Sequence, residues 1–103
     1  MPFRITITEE AEAHLHGLAA RARRIVEAAV LARLRGAPTT PTKAIKRLRP
    51  NPLAEFELRV GNLRVLYNVD GDEVVILLVG RKAGNRLLVG GQEFYGHQSD
   101  STE

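Results

Sequence analysis

The chain has no cysteine and no tryptophan, a single methionine, and aromatic residues at only 5%. Without cysteine there are no disulfides, no zinc–thiolate sites and no thiol nucleophile. It also lacks any apolar run near the ~20 residues that a membrane helix needs, and any charged leader followed by an apolar stretch. The expectation is a cytoplasmic chain with no membrane partner. No internal repeat is present. What remains is one domain's worth of sequence: 103 residues, 44% hydrophobic and 26% charged, ordinary for a globular chain. Fifteen Lys and Arg against twelve Asp and Glu leave a net charge of +3 and a pI near 9.8. That balance suits an acidic partner, either nucleic acid or protein.

Phe3, Ile5 and Ile7 alternate with Arg4, Thr6 and Thr8, the period of a half-buried strand. Thr8 before Glu9 and Glu10 has the form of a helix N-cap with acids in the first turn. A first helix from residue 9 carries Ala11, Leu15 and Leu18 on one side and weakens at Gly17. Residues 21–35 contain no Gly or Pro and are rich in Ala, Leu, Arg and Glu, which predicts a second helix. Its apolar positions, Ile25, Ala28, Ala29 and Ala32 together with Val26, Val30, Leu31 and Leu34, exceed a single face. Gly36, Pro38 and Pro41 end it, and a basic connector follows with a short apolar element at Ile45 and Leu48.

Beyond Pro52 come strand-like runs at 54–60, 63–69, 73–80 and 86–91. "EVVILLVG" is apolar on both faces, as a strand covered twice should be. The predicted class is α+β: an N-terminal strand, two helices on one sheet face, then an antiparallel meander. Residues 1–95 are expected to form the domain, and the polar stretch 96–103 a disordered tail.

The segment "FELRVGNLRVLY" carries the main chemical question. A two-residue turn at Gly61-Asn62 places Arg59 directly opposite Arg64, and like charges so placed destabilise a sheet. Either neighbouring acids, Glu55 and Glu57, neutralise the pair, or the pair holds an anion. A two-residue turn near Gly71 would add Arg81 to the same face. Arginine forks grip two phosphate oxygens at once. Lys43, Lys46, Arg47 and Arg49 form the densest positive cluster, read either as a solvated loop or as a nucleic-acid contact.

Other chemistry has less support. His14 and His16 point about 200° apart around a helix and do not chelate one metal; they read as surface histidines. "GRKAGN" and "VGG" lack phosphate-loop spacing, and no Ser/His/Asp arrangement stands out. Asn85 reads as a turn residue, and Tyr95 and His97 as part of a frayed end.

The βαα start, the connector "KAIKRLRP" and the stretch "FELRVGNLRVLYNVDGDEVVILLVGRK" together resemble the RelE/ParE superfamily of bacterial toxins, over residues 3–90. The resemblance implies the toxin of a type II toxin–antitoxin system, with a cognate antitoxin as partner and no metal or cofactor. In RelE-like members the toxin cleaves mRNA on the ribosome, the 2′-hydroxyl attacking the adjacent phosphate. ParE-like members inhibit DNA gyrase instead, and the fold alone does not choose. An attenuated member acting mainly through antitoxin binding, or plain RNA binding, are further readings.

Carried over by position, Arg64 matches the hairpin arginine that binds phosphate, and Arg81 or Lys82 the base that stabilises the transition state. Arg59 matches another basic position of that sheet, and with Lys43, Lys46, Arg47 and Arg49 makes up the expected RNA-binding set. Two departures stand out. Glu55 and Glu57 occupy positions where RelE-like nucleases often have lysines, and Leu87 or Leu88 replaces a tyrosine.

Overall fold

In the computed structural model, which describes residues 2–90 and 92–96, the order of elements is β1 (Arg4–Ile7), α1 (Glu9–His16), α2 (Ala20–Leu34), β2 (Ile45–Arg47), β3 (Phe56–Val60), β4 (Leu63–Asp70), β5 (Glu73–Ala83), β6 (Arg86–Val89) and β7 (Gln92–Gly96). The antiparallel strands run β2-β3-β4-β5-β6-β7 across the sheet, and β1 adds to β5 in parallel. Most of the expected tail lies outside the described residues, His97 included. The connector's short apolar element is the edge strand β2, and the chain past Gly90 makes a further strand, β7, that the sequence reading did not anticipate. Among the described residues no helix is long and apolar enough to cross a membrane.

The start of α1 and the packing of both helices have identifiable reasons. The Thr8 hydroxyl accepts from the Ala11 amide at 3.2 Å, capping α1. Ala11 and Leu15 of α1, and Val26, Val30 and Leu34 of α2, pack on Phe56, Leu58, Val65, Tyr67, Val74, Ile76 and Val79. The buried stripe of α2 is the Val26-Val30-Leu34 row, whereas Ile25 and Leu31 stay exposed at 48% and 54%. Tyr67 lies stacked on Phe56, ring centroids 5.4 Å apart, and its hydroxyl donates to the Pro38 carbonyl at 2.6 Å. That bond fastens the chain leaving α2 to the middle of the sheet.

The other face is not open. Leu48, Ala54, Leu66, Leu78, Leu87 and Val89 form a second, smaller core there. The loop that supplies its cover is organised by Asn51, whose amide donates to the Arg49 and Ala54 carbonyls while its oxygen accepts from the Leu53 and Ala54 amides. On the β6 side, closeness demands glycine. A Cβ on Gly80 would stand 2.6 Å from the Leu88 carbonyl oxygen and 2.8 Å from Val89 Cγ2.

β5 is long enough that one of its edges serves three neighbours in succession. Residues 73–76 pair with β1 and 81–83 with β6. Between them, Thr8 donates its amide and hydroxyl to the Ile76 carbonyl, and His14 Nδ1 accepts from the Val79 amide at 3.3 Å. His14 is therefore not a free surface histidine: it substitutes for a missing strand, which requires the neutral ring with its proton on Nε2. His16 is exposed, 3.5 Å from Glu12.

Two tests follow from this packing. Gly80→Ala is expected to cost about 1–3 kcal/mol in chemical denaturation, because backbone rather than a flexible side chain must move. Burial lowers the His14 pKa, with Glu10 opposing, so the unfolded chain takes up the proton first as pH falls below the ordinary histidine value of about 6.5. Thermal stability should thus drop between about pH 7.5 and 5.5, and the drop should shrink in His14→Gln; an equal drop in both would refute the His14 assignment.

Candidate functional site

The Gly61-Asn62 turn, with Gly61 at φ +62°, sets the register read from the sequence: Val60 opposes Leu63 and Arg59 opposes Arg64. The expected extension to Arg81 fails. β4 and β5 pair as Tyr67 with Ile76 but Leu66 with Leu78, so Leu77 is an extra residue and the parity beyond it reverses. Arg64 consequently faces Gly80, while Arg81 opposes Leu63 and Leu88 on the helix face. There it lines a cleft with Ala13, His14 and Leu18 of the α1 region. Lys82, by the same parity, shares the Arg64 face and opposes Leu87.

The arginine pair is resolved by Glu57. Its side chain is fully buried, and its Oε1 lies 3.8 Å from Arg59 Nε and 3.9 Å from Arg64 Nε. Lys46 opposes Glu57 from β2. Glu57 is enclosed on the face of the second core, opposite Leu66 of β4. Glu55 does stay exposed, its carboxylate accepting from the Val69 amide at 3.2 Å and its own amide donating to Asn68 Oδ1. It extends the β3–β4 ladder rather than neutralising an arginine.

Arg64 is only 8% exposed. Its Nη1 donates to the carbonyls of Gly61 and Leu63, each at 2.8 Å. Burial pulls its pKa down, Glu57 opposes that, and Arg59 adds to it; a guanidinium remains charged throughout. This arginine clamps the hairpin turn and balances a buried carboxylate, so little of its fork is left for a ligand. Arg59, with 43% of its side chain exposed, is the member of the pair that reaches solvent.

The remaining basic residues divide between two places. Lys43, Lys46 and Arg47 line an open cleft of about 620 Å³ along the outer edge of β2, together with Arg59. Arg47 lies on the helix side of the strand, its guanidinium 5.2 Å from the Phe56 ring centre. Arg49 belongs to the Asn51 loop instead. The structure thus gathers Arg59, Arg64 and Lys46 around Glu57, places Lys82 one strand further along that face, and separates Arg81 from all of them.

Residues 5–86 match the family described as the ParE toxin of the type II toxin–antitoxin system parDE. A chain of the toxin–antitoxin complex RelBE2 from Mycobacterium tuberculosis is similar in structure, with a TM-score of 0.69 and 30% sequence identity over 80% of this chain and 100% of that one. No curated protein matches the sequence significantly. This chain belongs to the ParE toxin family, within the RelE/ParE superfamily of type II toxins, and has that α+β fold.

Because Arg64 is a structural cation, Arg64→Ala should destabilise the protein by about 3–5 kcal/mol, the range for breaking a buried ion pair. Arg59→Ala, half in solvent, should cost about 1 kcal/mol or less. Urea denaturation of both variants checks this, and equal losses would refute the assignment.

Proposed function

We propose that this toxin acts by binding its target rather than by cutting RNA, with DNA gyrase as that target and an antitoxin as its neutralising partner in the cytoplasm. The observation that carries the reading is the buried Glu57 carboxylate between Arg59 and Arg64. With the Gly61 and Leu63 carbonyls it already occupies the hairpin arginine, which leaves little of that side chain for a scissile phosphate. Membership of the ParE family points the same way.

Ribosome-dependent mRNA cleavage, the RelE-like alternative, needs cations and proton carriers converging on one phosphate. Among the described side chains, Arg81 is on the opposite face from Arg64, Tyr67 is buried with its hydroxyl on Pro38, and His14 is committed to the Val79 amide. For the antitoxin, the apolar groove of about 260 Å³ lined by Ile5, Ile7, Leu15, Val26, Val30 and Leu31 is the matching surface. An amphipathic segment laid there covers the exposed Ile7 and Leu31.

Purified protein is expected to block supercoiling of relaxed plasmid by gyrase. Its induction in a bacterial host should trigger DNA-damage signalling without new mRNA 5′ ends inside translated codons. Codon-internal cuts together with unimpaired supercoiling would overturn the proposal in favour of the nuclease.

A further inference from the structure

We infer that the cleft along the outer edge of β2 is a docking site for the phosphate backbone of duplex DNA, an inference that rests on the gyrase reading and gives the toxin a contact with the enzyme's substrate as well as with the enzyme. Four cations line it: Lys43, Lys46, Arg47 and Arg59. No acidic side chain is in the lining, so this edge holds a local positive potential. Glu57, beside Arg59 and opposite Lys46, offsets one of the four charges.

The backbone that carries the cations is fixed before any ligand arrives. Lys46 and Arg59 lie on adjacent strands and one face, diagonal to each other across the β2–β3 ladder, a spacing of about 7–8 Å. Lys43 stands on a turn fixed by Thr42, whose hydroxyl accepts from the Ala44 and Ile45 amides and whose own amide donates to the Ile45 carbonyl. Arg47 rests its guanidinium over Phe56. Little backbone freedom is left to lose on binding.

Nucleic acid fits this cleft better than an acidic protein segment does. Protein interfaces are anchored by large apolar or aromatic side chains that leave water on binding, and the cleft offers only Pro41, since Ile45 is already 3% exposed. The exposed apolar side chains Ile7, Ile25 and Leu31 belong to β1 and α2 instead. With no aromatic ring in the lining for bases to stack on, recognition is of the backbone and independent of sequence.

The test is fluorescence anisotropy of the full chain with a 20-base-pair duplex of arbitrary sequence over a salt series. Neutralising four phosphates gives a slope of log K against log salt of roughly −3.6, and the double variant Lys43→Ala/Arg47→Ala should reduce that slope by about 1.8 while weakening binding tenfold or more at low salt. Arg47→Lys, which keeps the charge, should keep the slope. Undetectable duplex binding, a slope unchanged in the double variant, tighter binding to a 20-nucleotide RNA, or equal competition by polyglutamate would each overturn the inference. Gyrase supercoiling assays on the same proteins separate the two claims. Gyrase inhibition without duplex binding overturns only the cleft's role; charge-dependent duplex binding without gyrase inhibition upholds the cleft and overturns the target reading.

Discussion

The charged half of this sheet depends on one buried carboxylate. A two-residue turn forces Arg59 and Arg64 against each other, and the hairpin tolerates them because Glu57 Oε1 stands within 4 Å of both. Burial strengthens every electrostatic term in that cluster, the repulsion and the attraction alike. Remove the anion and the same low dielectric that favours the cluster turns against it. A charge pattern that looks made for gripping an external anion has thus been closed by an internal one.

Much of the fold could be read directly. The alternation of Phe3, Ile5 and Ile7, the Thr8 cap, the Gly-free run before Gly36 and the Gly61-Asn62 turn are local signals, and each produced the element it announced. What escaped was non-local. The bulge at Leu77 has no local signature, because residues 74–79 are apolar at every position and show no alternation from which a slip could be noticed. One extra residue was enough to send Arg81 to the other face. Glu57 alternates with Leu58 and so looks like a solvent position, but the second core occupies that face of the sheet and leaves it fully buried.

The exposed apolar side chains Ile7, Ile25 and Leu31 belong to β1 and α2, and Lys43 and Arg47 stand exposed at the far edge strand. An edge strand dressed with lysine and arginine also resists pairing with a second sheet. β2 is in addition only three residues long, and the Thr42 turn occupies hydrogen-bonding groups at its start.

The parallel pairing of β1 with β5 joins residues 4–7 to residues 73–76. During synthesis the first strand therefore has no partner until about three-quarters of the chain has been made, and His14 has no amide to hold until Val79 follows. Long-range closure of this kind comes late and slowly. The polypeptide cannot complete its central sheet while it is still a short nascent chain, so the finished toxin surface exists only after most of the message has been translated.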